Sequence, residues 1–466
     1  MIVPLSHLAS LSRRSGQSIF VNALFRQYST KVKKENLRPV RGMHDRYGLE
    51  SKKFRHICQT GSSVAGLYGC QEISTPILEF LNVFDRTLGE ESDIVNKELY
   101  SFKDRNDSML VMRPEGTAGI CRALISNGLS HSTQKFYYYG PMFRHERPQK
   151  GRLRQFEQFG TEYFGYAHPS SDIEVIEMGW RFLSKLKLDN NVEIQINSLG
   201  DVSSRTKYRE VLTAYLRGNV DKLSPDSVRR LDTNPLRILD SKDPGDIEVV
   251  SSSPEILDHL NEESAKRFQF ICSGLKQLNI PFRVNPQLVR GLDYYDHTVW
   301  EFKCSNEKLG TSQGTILAGG RYDNLVEKMG GPKNIPGIGW AAGIERLSLL
   351  LEDSVLEQEK RPIAIVLARS DSDEPSKSTA SVPELSYYAQ HIAGVLRNCE
   401  QKVLVIHPNS DTLQPVSKGL TKALKSNARH VIFIGEQEFR NNQVTIRNTD
   451  LREQQTCTLE ELPSLL

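Results

Sequence analysis

Residues 135–165 read KFYYYGPMFRHERPQKGRLRQFEQFGTEYFG. Two runs rich in Tyr and Phe, alternating with polar residues, flank a basic turn containing Pro148 and Gly151, the pattern of a long antiparallel hairpin. Successive strand residues face opposite sides, so Gln158, Gly160 and Glu162 share one face. At about 3.3 Å per residue, Gln158 and Glu162 stand about 13 Å apart, and a small ligand fits over Gly160 with a polar residue at each end. On the first strand, Arg144 and Glu146 share a face at the hairpin end. Arg144, Arg147, Lys150, Arg152 and Arg154 make the turn basic. A basic turn alone is commonly a solvated loop. A strand arginine beside apolar residues is a stronger signal, because burying its charge requires an anionic partner.

The 466 residues correspond to two to four domains at about 150 residues each, which sets aside a single small binding module. No apolar run exceeds about six residues, against the roughly 18 needed to span a bilayer, so a soluble globular chain with no membrane partner is expected. Sixty Lys plus Arg face 57 Asp plus Glu, a net charge of +3. That balance excludes charge-driven nucleic-acid binding over the whole surface, and any RNA contact must be local. The seven cysteines are scattered, with no Cys-x-x-Cys pair, so neither a disulfide framework nor a structural zinc site is expected.

The charge is unevenly placed. Residues 1–34 hold Arg13, Arg14, Arg26, Lys31, Lys33, Lys34 and six Ser, with no Asp or Glu; without these six cations, 54 of the 60 basic residues remain against 57 acidic. A basic, Ser-rich, acid-free stretch with Ile19, Phe20, Ala23 and Leu24 between arginines predicts an organelle transit peptide, and it lacks the continuous apolar core of a secretory signal. Further on, residues 352–361 are charged and end at Pro362, the composition of a linker. Beyond it, short apolar runs (363–368, 402–407, 430–434) alternate with helical patterns, predicting a compact α/β unit over 361–466. Within that unit, residues 370–384 are too polar to pack and read as a mobile insertion. Residues 201–286 are mostly helical by pattern and interrupt the strand-rich text on either side.

Four other segments carry chemistry. Arg113-Pro114-Glu115-Gly116-Thr117 opens a helix, where a carboxylate complements the helix dipole. LVRGLDYYDHTVWEF (288–302) places Tyr294 and Tyr295 on a predicted strand, one ring toward a ligand and the other toward the core. LAGGRYD (317–323) has paired glycines that permit close backbone approach. PGIGWAAGIERLSLLL (336–351) reads as a strand running into a helix. Its glycine spacing has one residue too many for a dinucleotide fingerprint, and no Gly-x4-Gly-Lys-Ser/Thr loop occurs, so Rossmann and P-loop readings fail.

Taken in order, these segments resemble the class II aminoacyl-tRNA synthetases, in the form found in bacterial-type histidyl-tRNA synthetases. The hairpin is similar to motif 2, residues 336–351 to motif 3, and residues 288–302 and 317–323 to the two histidine-specific signatures. Arg41-Gly42-Met43-His44-Asp45 resembles the family opening, with His44 where arginine is common. The stretch 78–102 is similar to the family's next segment, and Pro76 fits the motif 1 proline of a homodimer interface. The resemblance implies an α+β fold: an antiparallel sheet flanked by helices (35–357), a helical insertion (201–286) that closes on the acceptor stem, and an α/β anticodon-binding domain (361–466), where Lys418, Lys422 and Lys425 share a helix face.

It also implies ligation of L-histidine to tRNA(His) at the expense of ATP. Histidine would be bound by Glu115, Gly116, Thr117, Arg144, Gln158, Glu162, Arg290, Tyr294 and Tyr295. ATP would be bound by Arg144, Glu146 and Arg346, with Mg2+ carried on its phosphates and no metal ligands assignable in the chain. The tRNA acceptor end would meet Gln149 and Arg152. Activation attacks the α-phosphate with a carboxylate, so cations rather than an enzyme base supply the help, and Arg144 and Arg290 are the implied catalytic clamp. The rival is a silent paralogue that senses histidine or tRNA. Such relatives tend to lose a signature arginine or the last domain, whereas Arg144, Arg290, Arg346 and the C-terminal unit are all present. With the leader, the expected setting is the mitochondrial matrix, with cleavage near Arg26-Gln27-Tyr28-Ser29. A fluorescent reporter fused to residues 1–40 should therefore enter mitochondria, and a diffuse cytosolic signal would reject the transit reading.

Overall fold

A computed structural model of the protein describes residues 37–88, 94–310, 314–356, 359–370, 381–408 and 413–466. The expected transit peptide (1–34), residues 89–93, and residues 371–380 of the polar insertion lie outside the described residues. The chain divides into two compact units, one reaching Leu356 and the other starting at Glu357.

The first unit contains strands β1 (Gln71–Glu72), β2 (Leu78–Phe80), β3 (Tyr100–Lys103), β4 (Met109–Met112), β5 (Gln134–Phe143), β6 (Gln155–Phe164), β7 (Val192–Ser198), β8 (Phe282–Val284), β9 (Asp296–Cys304), β10 (Thr315–Arg321) and β11 (Gly337–Gly343). The predicted hairpin is β5–β6, paired from Gln134↔Phe164 to Phe143↔Gln155. It lies inside an eight-stranded sheet of order β1-β5-β6-β11-β10-β9-β7-β8. The interior pairs are antiparallel, and the short edge strands β1 and β8 pair parallel. Alternation places Phe159 and Tyr163 of β6 and Trp340 of β11 on one face. There they join Phe182, Ile271, Phe302 and Leu347 in a core covered by helices Gly48–Leu67, Ser170–Lys185, Glu262–Gln277 and Ile344–Leu350. The opposite face carries Gln158, Gly160 and Glu162. A small sheet, β2-β4-β3, adjoins helix Thr117–Ser126 and leaves Ile77, Leu78, Phe80 and Phe102 exposed.

Side-chain caps start the helices of the insertion: Asp201, Ser224, Asp243 and Asn261 accept from backbone N–H groups of Ser204, Ser227, Gly245 and Ser264. Its core (Tyr208, Leu212, Leu216, Leu231, Ile238, Val249, Ile256) is continuous with Leu288, Val289 and Tyr294. The segment expected to end at 286 ends earlier as a packing unit. Helix Glu262–Gln277 buries Ile271 and Leu275 against the main sheet, and β8 pairs with β7. An apolar stripe marks a helix but does not say which sheet it covers.

The second unit is a sheet of order β13-β12-β15-β16-β17, from β12 (Ile363–Arg369), β13 (Val403–Ile406), β15 (His430–Ile434), β16 (Gln443–Asn448) and β17 (Gln454–Thr458), with β14 (Gln414–Pro415) pairing the end of β12. Helix Val382–Asn398, opened by a Ser381–Glu384 capping box, covers one face, and Val416–Lys425 the other. Lys418 and Lys425 of the latter are exposed and Lys422 half-buried. All seven cysteines are free thiols. Among the described residues no helix is long and apolar enough to cross a membrane.

One buried ion pair ties the first unit together. Arg321 of β10, fully buried, meets Asp172 at the start of helix Ser170–Lys185 through Nε (3.2 Å) and Nη2 (2.6 Å). Arg321 also donates to Ser171 Oγ, the Tyr166 carbonyl and Asp323, and Arg267 of Glu262–Gln277 reaches the same Asp172 at 3.0 Å. Removing one partner strands the other charge away from water. Arg321→Ala should lower stability by about 3–5 kcal/mol, read from denaturant unfolding of the first unit; a loss below about 1 kcal/mol would show the network to be dispensable.

Candidate active site

The open face of the sheet has a floor of small residues. Opposite one another across five strands stand Tyr138, Gly160, Ala341, Ala318 and Glu301. At about 4.8 Å between strands, this row spans about 19 Å from Tyr138 to Glu301. Gly160 is required: a Cβ there would lie 2.6 Å from the Tyr138 hydroxyl and 2.7 Å from the Trp340 carbonyl. Gly116 is equally constrained, 2.2 Å from the Tyr138 ring.

Glu162 lies in the next row, facing Phe136 and Gly339. Its carboxylate is buried and accepts from Thr117 Oγ1 (2.6 Å) and from the Tyr322 hydroxyl. Burial pushes this carboxyl up to about 8, and hydrogen bonds from Thr117 and Tyr322 reverse the shift only in part. Glu115 caps helix Thr117–Ser126, accepting the N–H groups of Thr117 (2.8 Å) and Ala118 (2.7 Å). Burial raises its pKa too. Gln158, on the face of Gly160, has a buried Oε1 with no partner, as has the Tyr138 hydroxyl. Groups left in this state suit a polar ligand.

The tyrosine pair departs from expectation. Tyr294 and Tyr295 lie in a turn before β9 rather than alternating along a strand. Both are buried, their rings 4.6 Å apart, with Tyr322 at 5.6 and 6.3 Å. Neither is a purely core or purely ligand-facing residue: the three rings form one wall beside Glu162. The paired glycines of LAGGRYD likewise admit close neighbours from the protein, Gly319 against the Gly339 carbonyl and Gly320 against the Tyr295 ring.

The cations gather in two places. Arg144 follows the last residue of β5 and is not within the strand; its Nε donates to the Pro114 carbonyl (2.9 Å), and its guanidinium sits 5.2 Å from the Phe156 ring centroid. Glu146 lies 4.0 Å from Arg144 and 2.9 Å from Arg152. Gln149 and Arg152 close the hairpin tip through reciprocal backbone hydrogen bonds. Arg346, from helix Ile344–Leu350, donates to carbonyls of Gly151 and Thr315. Burial, then the charge of Arg152, pushes its pKa down. Arg144 and Arg152 thus flank one carboxylate, with Arg346 near enough to feel its charge, an excess of positive charge that suits a polyanion. Arg290 stands apart, paired with Glu301 and 5.8 Å from the Tyr295 ring centroid, with a buried Nε that has no partner.

The structure therefore brings Glu115, Gly116, Thr117, Gln158, Glu162, Tyr294 and Tyr295 around the floor, Arg290 between the Tyr295 ring and Glu301, and Arg144, Glu146, Gln149, Arg152 and Arg346 at the hairpin end. Sequence reasoning missed Tyr138, Glu301 and Tyr322. Tyr322 stood within a recognised segment, and Glu301 is a lone carboxylate in an apolar run. The family opening braces the hairpin as well: the Gly42 carbonyl accepts the Arg154 N–H at 2.8 Å. His44 is a surface residue 3.9 Å from Glu50. Among the described residues no group of three or more His, Cys, Asp or Glu is placed to hold a metal.

A sheet with this order, an arginine-bearing hairpin, and a last strand leading into a helix that carries another arginine define a class II aminoacyl-tRNA synthetase. Residues 42–347 match the family described as histidyl-tRNA synthetase, and 374–466 the anticodon binding domain. The histidine–tRNA ligase of Rhodospirillum rubrum is 46% identical over 92% of this chain and 98% of its own, and that of Gluconobacter oxydans 45% over the same shares. The apo histidyl-tRNA synthetase of S. aureus superposes with a TM-score of 0.73 at 32% identity, covering 92% of this chain and 99% of its own. The chain belongs to the histidyl-tRNA synthetase family, in its bacterial-type form.

Glu162 yields a pH test. With a folded pKa near 8 and an unfolded one near 4.5, the folded state holds the extra proton between these values. Its contribution to stability is complete below pH 4.5 and lost as pH rises through about 8. The melting temperature of the native protein should fall relative to that of Glu162→Gln between pH 5 and pH 8; parallel curves would contradict the buried, protonated carboxyl.

Proposed function

We propose that the protein activates L-histidine with ATP to histidyl-adenylate and passes the histidyl group to the 3′ end of tRNA(His), as a homodimer serving mitochondrial translation. The observation that carries the substrate reading is buried Glu162 with its Thr117 and Tyr322 hydrogen bonds, beside the Tyr294–Tyr295 wall. An imidazole matches such a wall in shape and in its two ring nitrogens. An apolar competitor would leave Gln158 and the Tyr138 hydroxyl unpaired, which is the strongest form of rejection a pocket offers. The α-ammonium suits Glu115 and Gln158, and the carboxylate suits Arg144.

Activation needs negative charge stabilised on the α-phosphate oxygens and on the departing pyrophosphate. Arg144 and Arg290 supply fixed positive charge there, and Arg346 and Glu146 lie where the nucleotide would extend. Magnesium arrives with ATP on its phosphates. Gln149 and Arg152, at the hairpin tip, suit the acceptor end of the tRNA, and the Lys418–Lys422–Lys425 helix face suits its anticodon arm. The exposed Ile77, Leu78, Phe80 and Phe102 beside Pro76 supply an apolar face for a second copy. The acid-free leader supports the mitochondrial setting.

Histidine-dependent ATP–pyrophosphate exchange tests the reading: exchange equally fast with proline or threonine would sink it. Arg290→Ala should slow adenylation at least about 100-fold, the loss typical of one preorganised donor, and a near-normal rate would remove Arg290 from catalysis.

A further inference from the structure

Arg290 leads into the turn 291–295, and that turn is held from the insertion side. Arg237, in the 3-10 turn Pro235–Asp240, donates to the Gly291 carbonyl and places Nε 3.6 Å from Asp293 Oδ1. Asn234 donates to the same Asp293 oxygen at 3.0 Å. Arg205, in helix Val202–Arg217, donates to the Tyr295 carbonyl at 2.5 Å and pairs with Asp296 at 2.9 Å. Alternate residues of the turn, Gly291, Asp293 and Tyr295, are thus each fixed by a side chain more than fifty positions away. Arg205, Arg237 and Arg290 line a common cavity of about 320 Å3.

The Arg237–Asp293 pair is partly exposed, at 21% and 34% of the side chains, and such a pair adds little to stability. Position is another matter, since a shift of about 1 Å at a catalytic group can cost about 100-fold in rate. We infer that Arg237, anchored on Gly291 and Asp293, is a positioning residue that holds Arg290 at the reacting phosphate, so that the seat of the helical insertion is transmitted to the catalytic cation. This inference rests on the proposed role of Arg290. The tyrosines have a separate support in their own ring packing, so loss of the clasp bears on Arg290 and spares the histidine pocket.

The test is a double-mutant cycle in the full chain, using histidine-dependent adenylation. Arg237→Ala should lower kcat at least about 10-fold, with KM for histidine and the melting temperature nearly unchanged. In an Arg290→Ala background, Arg237→Ala should change the residual rate less than about 2-fold, because the group it acts through is gone. Asp293→Ala, which removes the anchor from the loop side, should reproduce both results and replaces Arg237→Ala if that variant does not fold. Equal losses in both backgrounds, a rise in KM alone, or a normal rate would overturn the clasp while leaving Arg290 in place. A normal rate for Arg290→Ala itself would overturn the role of Arg290 and the clasp with it.

Discussion

The pairing of β6 with β5 on one side and β11 on the other is the constraint on which the rest depends. A slip of one residue would turn Gln158, Gly160 and Glu162 toward the helices and expose Phe159 and Tyr163. Register is held by the buried face, where Phe159 stacks on Phe182 and meets Trp340. Apolar burial there offsets the cost of a carboxylate and an amide sunk into the other face of the same strand. The site is thus a by-product of the core's alternation, and its precision is that of a packed aromatic layer.

Two kinds of buried charge coexist in this unit. Arg321 and Asp172 are saturated with partners drawn from two helices and two loops, and they act as a rivet. The Glu162, Gln158 and Arg290 groups keep unspent hydrogen-bonding capacity or an uneasy protonation state. The first arrangement stabilises a fold; the second is tolerated only where a ligand completes it.

What was legible in the chain was periodic. The two-residue alternation of 135–165 placed both strands of the hairpin and the face shared by Gln158, Gly160 and Glu162. The apolar spacing marked the insertion helices and the terminal α/β unit. What escaped depended on contacts between distant residues. Tyr294 and Tyr295 have strand-forming side chains, yet they sit in a turn before β9, their rings packed on each other and on Tyr322 and the Tyr295 carbonyl held by Arg205. Tyr138 and Glu301 belong to the site only because β5 and β9 end up four strands apart in one row, an order that no local pattern encodes. The packing of Glu262–Gln277 against the main sheet is of the same kind.

The hydrogen bond from Arg154 to the Gly42 carbonyl gives the amino end of the folded enzyme a hard limit. The turn end of the hairpin is braced by a residue that lies just after the basic leader, and Gly42 has a left-handed backbone (φ +81°) packed close to Pro148 and Arg154. Under the proposed mitochondrial setting, maturation has a window that closes at about Val40. On that reading, a protease that overruns it, or translation beginning at Met43, removes a brace of the hairpin's turn end, so a single peptide group would mark where removable leader gives way to enzyme.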